Sequence, residues 1–171
     1  MGYNDGLRQV AETLPIKAGK ILVTGATGLI GSCCIDALLY ANEYCGCRFE
    51  IFALGRSQEK ISKRFKGKVT PVVQDVVMPL TLDVVFDYII HAASNADPKM
   101  YALQPAETIL TNVIGTKNVL EYCKKNIDTR LLLTSTFEVY GKIDGIDVYS
   151  ENMVGLVDFH MLRNGYTESK R

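Results

Sequence analysis

The chain has 171 residues, 47% of them hydrophobic, and its 19 basic and 19 acidic side chains leave a formal net charge of zero. That length predicts about one domain with a buried core, and high apolar content with no net charge argues against a disordered chain. Balanced charge leaves no basic footprint, so neither nucleic acid nor an anionic membrane surface is expected as a partner.

Residues 1–20 lack the apolar stretch of a secretory signal. No run approaches the roughly 20 apolar residues of a membrane span. The expected location is the cytoplasm. The five cysteines are odd in number, with Cys33 next to Cys34 and with Cys45 and Cys47 one residue apart. That matches neither a disulfide framework nor a zinc signature, so they read as small core residues in a reducing compartment. No His/Cys/Asp cluster has metal spacing, so no metal is expected.

In chain order, residues 5–13 suggest a short amphipathic helix that leads in. Residues 20–24 (K-I-L-V-T) form a short apolar run stopped by Gly25, which predicts a buried strand. A helix over 29–44, a strand over 48–54 and a short helix over 57–65 capped by Ser57 follow. Strands over 69–74 and 86–92, a long helix over 105–126 and a strand over 131–135 complete the alternation. Residues 142–158 read as loop, with a last helix starting near Leu162. Strands alternating with helices predict an α/β fold, a doubly wound parallel sheet of at least five strands in the order 3-2-1-4-5. Ligands of such sheets bind beyond the carboxyl ends of the strands.

The first strand runs into T-G-A-T-G-L-I-G, residues 24–31. Gly25 suits the tight turn, Gly28 the approach of backbone to a pyrophosphate, and Gly31 the packing of helix on sheet. Thr27, Leu29 and Ile30 complete this cofactor loop, whose helix start offers unpaired N–H groups to phosphates. The acid that takes the ribose hydroxyls in many dinucleotide sites belongs at the end of the second strand. Here Leu54-Gly55-Arg56-Ser57 stands in its place. Arg56 with Ser57 suits a 2′-phosphate. Stacking on adenine, or a solvated helix start, suits the arginine equally, so NAD and NADP both stay open on these residues. Asp75 and Val76, after the third strand, suit an adenine contact, and Asp75 equally suits a turn cap.

Tyr166 and Lys170 form Y-x-x-x-K and share a helix face. An ammonium beside a phenol is expected to lower its pKa and make it a usable base. Thr136, just past the fifth strand, offers a hydroxyl to a substrate oxygen.

These segments together resemble the extended short-chain dehydrogenase/reductase family, the nucleotide-sugar epimerases, dehydratases and decarboxylases, over roughly residues 20–171. The resemblance rests on the glycine loop, Q-D-V-V-M-P-L (74–80), H-A-A-S (91–94), T-N-V-I-G-T (111–116), S-T-F-E-V-Y-G (135–141) and Y-T-E-S-K-R (166–171). Within the family the motifs look most like the UDP-glucuronate decarboxylase branch. The resemblance implies that Tyr166 takes the proton of a sugar hydroxyl while hydride passes to a nicotinamide. Lys170 would hold the nicotinamide ribose and Thr136 the substrate oxygen. Asn112 would support the site, and the Ala92 and Ala93 backbone would line the cofactor. Glu138 matches the acid of the second half-reaction, or else serves as a loop cap. Phe137 departs from the dehydratases, which carry an acid there, and from the serine usual in decarboxylases.

The implied cofactor is NAD, with NADP possible, and the implied substrate is a nucleotide sugar, UDP-linked. A non-catalytic binding module and an NADPH-dependent carbonyl reductase are the alternative readings. Residues 1–19 are expected to be a lead-in segment, and 20–171 a dinucleotide-binding domain incomplete at its C-terminus, without the substrate lobe. Such a chain is expected to bind a dinucleotide weakly and turn over nothing. The full-length protein is expected to be a homodimer.

Overall fold

The computed structural model describes residues 2–171. Five parallel strands form one sheet: β1 (Ala18–Thr24), β2 (Arg48–Gly55), β3 (Thr70–Val73), β4 (Tyr88–His91) and β5 (Arg130–Leu133). Their order is β3-β2-β1-β4-β5, as the alternation of elements implied. The helices are α1 (Tyr3–Thr13), α2 (Leu29–Tyr44), α3 (Gln58–Phe65), α4 (Pro98–Leu103), α5 (Pro105–Cys123) and α6 (Asn164–Lys170).

Side chains alternate across a strand, so a strand covered on both faces must be apolar throughout. In β1, Ile21 and Val23 join a core with Ile35, Leu38 and Ala41 of α2 and Ile61 and Phe65 of α3. Leu22 faces the other way, into a second core with Phe86, Ile89, and Val119 and Tyr122 of α5. Phe86 is fully buried, with the Phe52 ring edge-on at 5.0 Å. Burying each such side chain contributes roughly 1.5–3 kcal/mol. Helix α1 belongs to the first core through Ala11. It is also clasped to α2 by the Tyr3 hydroxyl, which donates to Asp36 at 2.5 Å, while Arg64 of α3 pairs with the same carboxylate.

Helix α2 spans the expected residues, and the Ser57 hydroxyl caps α3 by accepting the Lys60 N–H at 3.3 Å. Other bounds differ for local reasons. The long helix stops at Cys123, where Lys125 and Asn126 donate to Tyr122 and Cys123 in tighter turns. The fourth strand starts at Tyr88, because Asp87 turns its carboxylate onto the Lys20 N–H at 2.7 Å. Two elements were not expected: α4, and a 3-10 turn over Phe137–Tyr140. Asp97 caps α4 and Pro98 opens it, a helix start written in the sequence.

The pairing register sets Thr24 beside both Leu54 and His91, and His91 beside Leu133. Four strands therefore end level, and everything chemical lies past that line. Among the described residues, no group of three or more His, Cys, Asp or Glu is arranged to hold a metal. None of the described helices is long and apolar enough to cross a membrane.

Candidate active site

The turn from β1 into α2 is built on two glycines. Gly25 has φ +65°, and a Cβ there would lie 2.7 Å from the Ala92 carbonyl oxygen. A Cβ on Gly31 would collide with the carbonyl of Gly25. The loop is pinned from both sides: Ala26 N–H donates to Leu54 O at 3.1 Å, and Ala93 N–H donates to the Thr24 hydroxyl at 3.2 Å. The Thr24 hydroxyl also shares a hydrogen bond with Nδ1 of His91, 2.6 Å away. Burial, aided by the charge of Lys170, pushes the His91 pKa down to about 4. His91 is thus a neutral strap between two strand ends.

A cleft of about 260 Å³ opens past these ends. Gly25, Thr27, Gly28, Arg56, Asp75, Val76, Ala92 and Ala93 all line it, together with Gln74, Ser94 and Thr111, which fall inside the motifs but had no expected role, and Asn95. Asp75 does two things there: it lines the cleft, and its Oδ1 accepts the Val77 N–H at 3.1 Å. Leu29, Ile30, Gly31 and Ser57 are not among the lining residues. The Leu29 side chain is 83% exposed, Gly31 packs beneath the turn, and Ser57 is committed to its cap. A dinucleotide fits these features. The first-turn N–H groups of a helix have no intrahelical acceptor, α2 starts at the cleft, and the buried Ser94 Oγ beside it has no partner.

Thr136, Tyr166 and Lys170 do not line that cleft; Lys170 lines a separate hollow with Asn112 and Ser169. Lys170 Nζ donates to Thr134 O at 2.9 Å, and Thr134 in turn donates its N–H and hydroxyl to His91 O. The lysine is thereby fixed where β4 and β5 end, and burial lowers its pKa. The buried Tyr166 ring stacks on Tyr101 of α4, centroids 4.7 Å apart and planes 12° from parallel. Burial first, then the Glu138 charge and Tyr101, raise the phenol pKa, while the hydrogen bond from Thr136 lowers it. The direction is opposite to the one expected from Lys170: burial decides it, and Lys170, bonded to the Thr134 carbonyl, is not among the groups that shift the phenol.

Glu138 accepts from the Arg163 guanidinium at 3.2 and 3.3 Å and from the Thr167 hydroxyl at 2.8 Å. Arg163 also donates to the Tyr101 hydroxyl at 3.2 Å. The sequence reading missed Arg163, Tyr101 and Thr167. Arg163 stands three residues before Tyr166, a spacing that could have drawn notice. Asn112 of α5 donates to Ser169 Oγ at 2.9 Å and so ties the long helix to α6, and its buried Oδ1 is without a partner.

A five-stranded doubly wound sheet with a glycine turn at its first crossover defines a dinucleotide-type α/β domain. Residues 21–171 match the NAD dependent epimerase/dehydratase family, and the chain belongs to it. UDP-glucuronic acid decarboxylase 6 of Arabidopsis thaliana is 37% identical over 153 residues, which is 89% of this chain and 43% of that protein. UDP-glucuronic acid decarboxylase 1 of Xenopus tropicalis is 36% identical over 152 residues, 89% of this chain and 35% of the relative. The chain thus spans less than half the length of these relatives. The same fold occurs in the UDP-N-acetylglucosamine 4-epimerase of Methanobrevibacter ruminantium M1, solved with UDP-N-acetylmuramic acid (TM-score 0.69, 20% identity, 91% of this chain and 48% of that one). It occurs also in the UDP-glucose-4-epimerase of Stenotrophomonas maltophila with bound NAD (TM-score 0.69, 17% identity, 89% and 45%).

Proposed function

We propose that this chain is the dinucleotide-binding part of an enzyme that oxidises a hydroxyl of a UDP-linked sugar. The observation that supports the reading is the cleft at the glycine turn, lined by Gly25, Thr27, Gly28, Ala92 and Ala93, together with Lys170 bonded to the Thr134 carbonyl just past β5. A bound nicotinamide supplies the hydride acceptor. Thr27 and the first turn of α2 would offer backbone N–H groups to its phosphates, while Gly25 and Gly28, whose N–H donates to Gly25 O at 2.9 Å, shape the turn that lets them approach. What Leu29 and Ile30 contribute is that backbone. Asp75 and Val76 border the adenine end, and Ala92 and Ala93 form the floor.

Tyr166 takes the proton of the sugar hydroxyl. Two features of the chain act toward phenolate: the Thr136 hydrogen bond, and Arg163, which offsets the charge of Glu138. Lys170, anchored on Thr134, holds the ribose hydroxyls. Asn112 holds α6 in position through Ser169. Glu138 acts on the ketone formed next to a sugar carboxylate, and its place beside Tyr166 supports a decarboxylase-type second step. The protein works in the cytoplasm. Its full-length form pairs through α5, where Leu110, Val113 and Leu120 are exposed.

Incubating the full-length protein with NAD(P)⁺ and UDP-glucuronate, UDP-glucose or UDP-N-acetylglucosamine, followed by mass spectrometry, tests this. Loss of carbon dioxide from UDP-glucuronate is the expected result. Dinucleotide binding with no turnover of any UDP-sugar would leave a binding module instead.

A further inference from the structure

The adenosine end of the cleft is made by the last residue of β2, Gly55, and by Arg56 after it. Gly55 O accepts the Gln74 N–H at 3.1 Å, and Leu54 O accepts the Ala26 N–H at 3.1 Å. The strand end is thus fastened to β3 on one side and to the glycine turn on the other. In doubly wound folds a carboxylate at this strand end takes the ribose hydroxyls and repels a 2′-phosphate. Here there is none, and packing does not forbid one. A Cβ on Gly55 would have Ile61 Cδ1 as its nearest neighbour at 3.5 Å, an ordinary contact, and the backbone there needs no left-handed conformation.

Arg56 is exposed, lines the cleft, and forms no ion pair among the described residues. The Ser57 cap fixes the turn on which it stands. None of the nearby acids pairs with it among the described residues. Glu50 lies earlier in β2, with Lys20 Nζ 3.9 Å away. Asp75 holds the Val77 N–H. Glu59, in the first turn of α3, is exposed and forms no ion pair with Arg56. A guanidinium without a partner, facing a site from which the usual carboxylate is missing, is suited to bidentate binding of a phosphate.

We propose that this site selects a 2′-phosphorylated dinucleotide, with Arg56 on the 2′-phosphate and Gly55 making room for it. The inference rests on the reading of the cleft as a dinucleotide site.

Isothermal titration of the chain with NADP⁺ and with NAD⁺ tests both. The expected result is NADP⁺ binding at least about tenfold tighter, roughly 1.4 kcal/mol. In Arg56→Ala the ratio falls to within about threefold, through loss of a charge-assisted pair. In Gly55→Asp it inverts, because the new carboxylate binds ribose hydroxyls and repels phosphate. Equal or tighter NAD⁺ binding by the unaltered chain, or an unchanged ratio in Arg56→Ala, overturns the proposal. Binding of neither dinucleotide removes the dinucleotide reading and this proposal with it. If Gly55→Asp loses its fold by circular dichroism, the exposed Arg56 variant decides alone.

Discussion

Two ends of one site are built in different ways. Where β1 meets α2, the parts are backbone: a glycine turn with no room for a Cβ, pinned by N–H bonds from Ala26 and Ala93 and set on a core of Ile21, Val23, Ile35 and Ala53. Where β5 meets α6, the parts are side chains. Asn112 holds Ser169, Arg163 and Thr167 hold Glu138, and Lys170 holds Thr134. The surface around them is apolar but uncovered, with Leu132, Val154, Leu156 and Leu162 exposed. Packing fixes the first end to within the tolerance of a methyl group. Hydrogen bonds worth about 1 kcal/mol each fix the second, so it yields piecewise.

The largest test strikes the backbone end. Gly31→Ala drives a methyl group into the Gly25 carbonyl and is expected to cost about 4 kcal/mol. Urea unfolding reads this as a lower midpoint with an unchanged slope.

The strap between the ends is next. His91 has a folded pKa of about 4 against 6.5 when unfolded, so the unfolded chain binds the extra proton between those values. Stability is therefore full above pH 6.5 and falls as pH drops toward 4, by about 3 kcal/mol. Denaturation curves across that window check it, and in His91→Asn the drop should flatten.

The side-chain end should respond less. Asn112→Ala removes the tie to Ser169 and is expected to cost about 1 kcal/mol. Hydrogen exchange should quicken in α6 and stay unchanged in α2. Equal loosening of both helices would show that the two ends are held alike. The smallest effect on stability is that of Glu138→Gln, below about 1 kcal/mol, because the amide oxygen still accepts from Arg163 or Thr167 while the partly exposed charge pair is lost. Removing that negative charge should lower the Tyr166 pKa, since Glu138 raises it. Carbon-13 resonances of labelled tyrosine, followed through alkaline pH, would report the shift.

The same contrast explains what was legible in the sequence. The glycine turn, the bounds of α2 and the Ser57 cap are local demands of the backbone, and local demands leave residue types at fixed spacing. Strand order followed from the alternation of elements. Arg163 on Tyr101 is a contact across 62 residues, and Glu138 on Thr167 spans 29. No period in the chain marks such pairs. The direction of the Tyr166 shift was misread for a related reason: helical spacing puts Lys170 and Tyr166 on one face, but it does not say how deeply the phenol is buried or that the ammonium reaches the Thr134 carbonyl past β5. Helix α4 was readable from Asp97-Pro98 and went unread because Gln104 breaks it from α5 after six residues.

The strand order also sets a sequence of events in time. β3, β2 and β1 are neighbours along the chain, so that half of the sheet closes over short loops. β1 meets β4 only across the 67 residues that separate Thr24 from His91. Closing so long a loop costs entropy before any contact offsets it. The glycine turn therefore forms with the early half but stays unpinned on its Ala93 side until β4 arrives. A refolding chain should show protected amides in β1 and β2 before Ala93, and dinucleotide affinity should appear with the later event.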